Sequence, residues 1–92
     1  QVTALIRLSP ERREDLERTA LPVQGAQPEE DGRLRLEATF QDRRHAEWSL
    51  WQLGEDAEAL TPEWLRTALH ARAAAIAERY AAPSEEEPGP KV

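Results

Sequence analysis

"DGRLRLEATF", Asp31 to Phe40, decides how this chain folds. Asp-Gly is a strong turn signal, since Gly takes positive φ without steric penalty. After the turn, Leu34, Leu36, Ala38 and Phe40 alternate with Arg33, Arg35, Glu37 and Thr39. Strand side chains point alternately to opposite faces. Arg33–Phe40 is therefore expected to be a strand with one apolar face and one charged face, as in an antiparallel sheet covered on one side.

Upstream, Val2–Leu8 repeats the pattern, with Val2, Ala4, Ile6 and Leu8 on one face. Between these strands, Ser9 is placed to cap a helix reaching about Thr19. That helix is rich in charge, with Leu16 as its apolar anchor and Glu14 and Arg18 spaced as an i,i+4 pair. Leu21–Gln27 is a poor strand, interrupted by Pro22 and Gly25 and followed by Pro28. Proline cannot donate to a ladder, so this segment belongs at a sheet edge. Downstream, Asp42 can cap a helix running to Leu53, with Ala46, Leu50 and Leu53 on one stripe and Trp51 packing in the core beside it. Gly54 stops that helix, and Ala57–Leu60 reads as a short strand. Thr61 and Pro62 open a last helix to about Tyr80, with Leu65, Leu69, Ile76 and Tyr80 as its stripe and Ala68 and Ala73 as padding. The near-repeat of "LSPE" (Leu8–Glu11) and "LTPE" (Leu60–Glu63) marks two strand-to-helix switches, because Pro is accepted in the first helical turn and Glu suits the positive end of the helix dipole.

The order predicts an α+β fold: ferredoxin-like βαββαβ with a four-stranded antiparallel sheet plus an additional C-terminal helix. In that topology the first and third strands are central. The first two helices cover one face. The opposite face, bearing Thr3, Leu5, Arg7, Arg33, Arg35 and Glu37, is open unless the last helix or a partner lies on it.

The 92 residues make one domain. Residues 1–81 hold its apolar pattern, while 82–92, Pro- and Glu-rich, read as a disordered tail. There is no Cys, which removes disulfides, thiolate metal sites and Cys nucleophiles. Without Cys or a signal-like segment the chain fits a cytoplasmic location, and no apolar run approaches a membrane span. Lacking Met and beginning at Gln1, it is expected to be a piece of a longer protein. The net charge of -6 makes it a poor autonomous binder of nucleic acid.

Catalytic signatures are scarce. His45-Ala46-Glu47 matches the H-x-E of zinc deaminases, but the required downstream cysteines are missing. Both His45 and His70 read as surface residues, Ser9 is explained as a cap, and there is no Gly-rich phosphate loop. No catalytic residue, metal or cofactor is expected. Arg33 and Arg35 on the open face, and Arg43 and Arg44 at the start of the second helix, are the candidate effector contacts. The latter two stand where the helix dipole disfavours cations. Trp48, Trp64, Leu69, Ile76 and Tyr80 are the candidate interface residues, Trp being enriched at contact hot spots.

Three stretches, "VTALIRLSPE", "DGRLRLEATFQD" and "WSLWQLGEDAEALTPEWLRTALHARAAAIAERY", resemble the C-terminal extension (WCX) domain of WYL-domain transcriptional regulators. The likeness covers about residues 2–80. It implies a bacterial parent with an N-terminal helix-turn-helix domain, which contacts DNA, and a WYL domain. The WYL and extension domains of such proteins sense a ligand, in some members single-stranded DNA, and mediate dimerisation. The implied partners are a second copy, with possible swapping of the last helix, and the WYL domain of the same protein. Two alternatives are a stand-alone small-molecule sensor of the ACT type and a single-stranded nucleic-acid binder using Arg7, Arg33 and Arg35. The second lacks the stacking aromatics of an RRM on its central strands.

Overall fold

A computed structural model describes residues 1–81 of the chain; the tail from residue 82 lies outside the described residues. The elements are β1 (Val2–Leu8), α1 (Arg13–Thr19) after a 3-10 turn at Pro10–Arg12, β2 (Val23–Pro28), β3 (Leu34–Phe40), α2 (Arg43–Leu53), a second 3-10 turn at Gly54–Asp56, β4 (Ala57–Thr61) and α3 (Glu63–Ala81). The strands form one antiparallel sheet in the order β2-β3-β1-β4. The ferredoxin-like arrangement expected from the sequence is therefore present, with β1 and β3 in the middle. Their register runs without a break from Val2 opposite Phe40 to Leu8 opposite Leu34.

The alternation in each central strand decides which face is buried. Ala4, Ile6, Leu8, Leu36, Ala38 and Phe40 turn inward, and α1 and α2 cover them with Leu16, Ala46, Leu50 and Leu53. Each large aliphatic chain removed from water in this way contributes roughly 1.5–3 kcal/mol. The edge strands are weaker, as Pro22, Gly25 and Pro28 predict. The β2–β3 ladder loses register between Gln24 and Gln27, and the β1–β4 ladder between Leu5 and Ile6.

Two helix starts use different devices. Asp42 accepts the His45 N–H at 2.8 Å, the expected side-chain cap of α2. Ser9 makes no such cap. Its hydroxyl instead donates to Asp56 Oδ1 at 3.4 Å, and its N–H donates to the Asp56 carbonyl at 2.8 Å. The chain after Ser9 first winds as a tight 3-10 turn, so α1 proper begins only at Arg13. The expected Glu14–Arg18 pair does not form: Arg18 turns to Asp15, at 3.5 Å, while Arg13 takes Glu17. At the end of α2, Gly54 adopts φ +61° and donates its N–H to the Trp51 carbonyl, a backbone conformation that L side chains resist.

The last helix departs from expectation. It does not lie over the open sheet face; it packs against α2 and β4. Leu65 is its one buried residue among those described. From residue 70 onward every described position of α3 is exposed, so its C-terminal half extends beyond the body of the domain. Ile76 and Tyr80, two of the interface candidates, stand 41% and 84% exposed. Trp51 is half-buried rather than a core residue. His45 is half-buried too: its ring meets Phe40 edge-on, and its Nδ1 accepts the Gln41 N–H at 3.1 Å.

Candidate functional site

On the open face, Arg7 of β1 is the centre of an ionic chain. Its Nε donates to Glu29 at 2.6 Å and its Nη1 to Glu58 at 3.2 Å. Glu58 also receives Arg66 of α3 at 3.3 Å, and Arg66 donates to the Ala59 carbonyl at 2.7 Å. The hydrogen bond to Glu29, with the neighbouring charges of Glu29 and Glu58, raises the Arg7 pKa above its ordinary value. Arg33 is held by Asp31 at 2.9 Å. The Arg33 N–H and then its guanidinium hold the Asp31 carboxyl below its usual pKa. Arg35, opposite Arg7 in the β1–β3 register, is exposed and makes no ion pair among the described residues. Of the three arginines expected to form a basic row, two are thus already neutralised. Among the described residues the face carries no aromatic side chain on which a base could stack.

Arg43 and Arg44 sit elsewhere, at the start of α2 in the helical layer. The four candidate effector arginines therefore fall into two pairs on different sides of the sheet. Arg44 is exposed. Arg43 stacks on the Trp64 ring, 4.5 Å from its centroid, and Arg72 stacks on Trp51 at 4.8 Å. These two contacts are reciprocal, each helix giving one arginine and one tryptophan. Residues 43 and 51 of α2 meet residues 64 and 72 of α3, an equal step along both, so the helices run parallel. Each stacked pair contributes about 0.5–1 kcal/mol at such exposed sites. Of the interface candidates, Trp64 is half-buried against the core beneath Arg43, and Leu69 also packs against the core in part. Trp48 is 51% exposed on the outside of α2.

Between α2, β4 and α3 lies a cavity of about 480 Å³. Leu50, Trp51, Ala57, Ala59, Leu69 and Ala73 make it mainly apolar, and Glu55, Glu58, Arg66 and His70 stand around it. Among the described residues no group of His, Asp and Glu is arranged to hold a metal ion.

The family model of the WCX domain matches residues 1–77. The chain belongs to the WCX domain family. Comparison with curated proteins gives no match. The family is regulatory in type and associated with WYL regulators, which accords with a non-enzymatic part. No described helix of this WCX domain is long and apolar enough to cross a membrane.

Reading the sequence one element at a time finds Arg7 but not its partners, and misses Arg72, Glu55 and Arg66. Strand alternation puts Arg7 in an open row, yet its partners Glu29 and Glu58 lie 22 and 51 residues away. Arg72 on Trp51 depends on the parallel course of α2 and α3, which no local pattern encodes. Glu55 and Arg66 border a cavity that exists only because α3 stands beside α2. The one available signal is Trp51 itself, a large ring on the flank of the aliphatic stripe of Ala46, Leu50 and Leu53.

Proposed function

We propose that this WCX domain is the non-catalytic regulatory and self-association part of a bacterial helix-turn-helix–WYL transcriptional regulator. The observation that carries the reading is the projecting half of α3. Ile76 and Tyr80 are exposed there and continue the face that starts with Leu69 and Ala73 at the cavity. Helix positions three and four apart share a face, so residues 69, 73, 76 and 80 form one stripe. Two copies laid α3 against α3 in antiparallel fashion would bring Ile76 and Tyr80 of each onto Leu69 and Ala73 of the other. A contact of this extent is smaller than the roughly 1,200–2,000 Å² of a stable complex. The isolated domain should accordingly associate weakly, with Kd above about 10 µM, and the WYL domain would add to the contact in the parent. An effector would act by binding one arrangement more tightly than another, and the DNA-binding domain of the parent would read the difference. Exchange of α3 between copies is a variant of the same reading and would require Leu65 to leave its site.

Sedimentation or light scattering across a concentration series tests this. Association should rise with concentration and vanish in Ile76→Glu/Tyr80→Ser, both positions being exposed in the single copy. A strictly monomeric chain at about 1 mM would overturn self-association.

A further inference from the structure

We infer that the cavity between α2, β4 and α3 binds an apolar organic cation: a primary amine carried on an aromatic or aliphatic body. Its volume of about 480 Å³ lies within the range of small-molecule sites. Leu50, Ala59 and Leu69 supply apolar walls for the body, together with the edge and free face of Trp51, whose other face carries Arg72 and so keeps the charged head at the Glu55 end. The charge of the head follows from which lining groups are already engaged. Arg66 is engaged with Glu58 and with the Ala59 carbonyl, at 3.3 and 2.7 Å. Glu58 is shared between Arg66 and Arg7. An anionic ligand would have to displace these bonds to reach Arg66. Glu55 is different: it is exposed and makes no ion pair among the described residues. It follows directly on Leu53 and Gly54, at the C-terminal end of α2, where the helix carbonyls present partial negative charge. A carboxylate and a helix C-terminus together favour a cation, and the net charge of -6 draws cations toward the molecule. The amine would sit at Glu55 with its body running inward between Trp51 and Leu69.

The test compares three probes of similar size, phenylbutylamine, phenylbutanol and phenylbutyrate, by calorimetry and by tryptophan fluorescence, to which the cavity-lining Trp51 contributes. The amine should bind most tightly and the acid least. Glu55→Gln should weaken the amine about two- to fivefold, the range of an exposed ion pair, and leave the alcohol unchanged. Ala73→Phe, which fills the cavity from the α3 side, should abolish binding of all three while the far-UV circular dichroism is retained. The inference is overturned if the amine fails to bind at millimolar concentration, if the acid binds as tightly as the amine, or if Glu55→Gln has no effect. Binding that survives Ala73→Phe in a folded chain would overturn the location. Should Ala73→Phe not fold, the Glu55→Gln comparison decides alone. The inference does not rest on self-association: the same measurements on Ile76→Glu/Tyr80→Ser should give the same ranking.

Discussion

Leu65→Ala should loosen the attachment of α3 to the body, and its effect can be worked out from burial. Leu65 has no exposed surface, whereas every residue of α3 from 70 onward is exposed. Truncating a fully buried leucine removes its transfer energy and leaves a cavity, together about 2–5 kcal/mol. A domain of this size has only ~4–12 kcal/mol of total stability. A loss near 3 kcal/mol lowers the thermal midpoint by about 12–24 °C. The three tryptophans lie in α2 and α3 and none in the sheet, so urea unfolding followed by tryptophan fluorescence reports on the helical layer directly. Ile76→Ala, on the same helix but 41% exposed, is the control and should change stability by less than ~0.5 kcal/mol. If Leu65→Ala loses under ~1 kcal/mol, or no more than Ile76→Ala, Leu65 is not the anchor. The position of α3, and the cavity beside it, would then be wrong.

Two further outcomes follow from the same physical reading. The Ser49 hydroxyl is buried in α2 without a hydrogen-bond partner among the described residues, so Ser49→Ala removes an unsatisfied group and improves helix propensity. Stability should rise by about 1 kcal/mol, read as a higher urea midpoint with unchanged slope; a fall would mean that the hydroxyl is satisfied after all. Asp31 has its pKa lowered in the folded chain by the Arg33 N–H and guanidinium. The unfolded chain therefore binds this proton first on acidification. The stabilisation is present above the ordinary Asp value of about 3.9 and is lost as pH falls through the lower folded value. Asp31→Asn should make the urea midpoint less dependent on pH in that acidic window, and an unchanged pH profile would refute the assignment.

Local pattern determined the secondary structure and the sheet. The alternation of Leu34 to Phe40 and of Val2 to Leu8 marks two strands buried on one face, and the βαββαβ order puts them in the middle of the sheet. The prolines around β2 mark an edge because they remove ladder donors. Asp42 and Gly54 bound α2 through contacts within a few residues. The family resemblance rested on these same local features, and the match over residues 1–77 agrees with it.

Tertiary structure decided what lies beyond the reach of a few residues. The stripe of α3 looks like a core stripe in sequence, but the body offers apolar surface only for Leu65, with partial cover for Trp64 and Leu69. Whether a periodic apolar face is buried depends on the presence of a second surface, and that is absent from the helix's own sequence. Likewise Arg7 and Arg35 are alternate residues of the same kind of strand pattern. Arg7 is neutralised and Arg35 is not, because Glu29 and Glu58 arrive from distant parts of the chain. Periodicity sets which way a side chain points; long-range packing sets what it meets there.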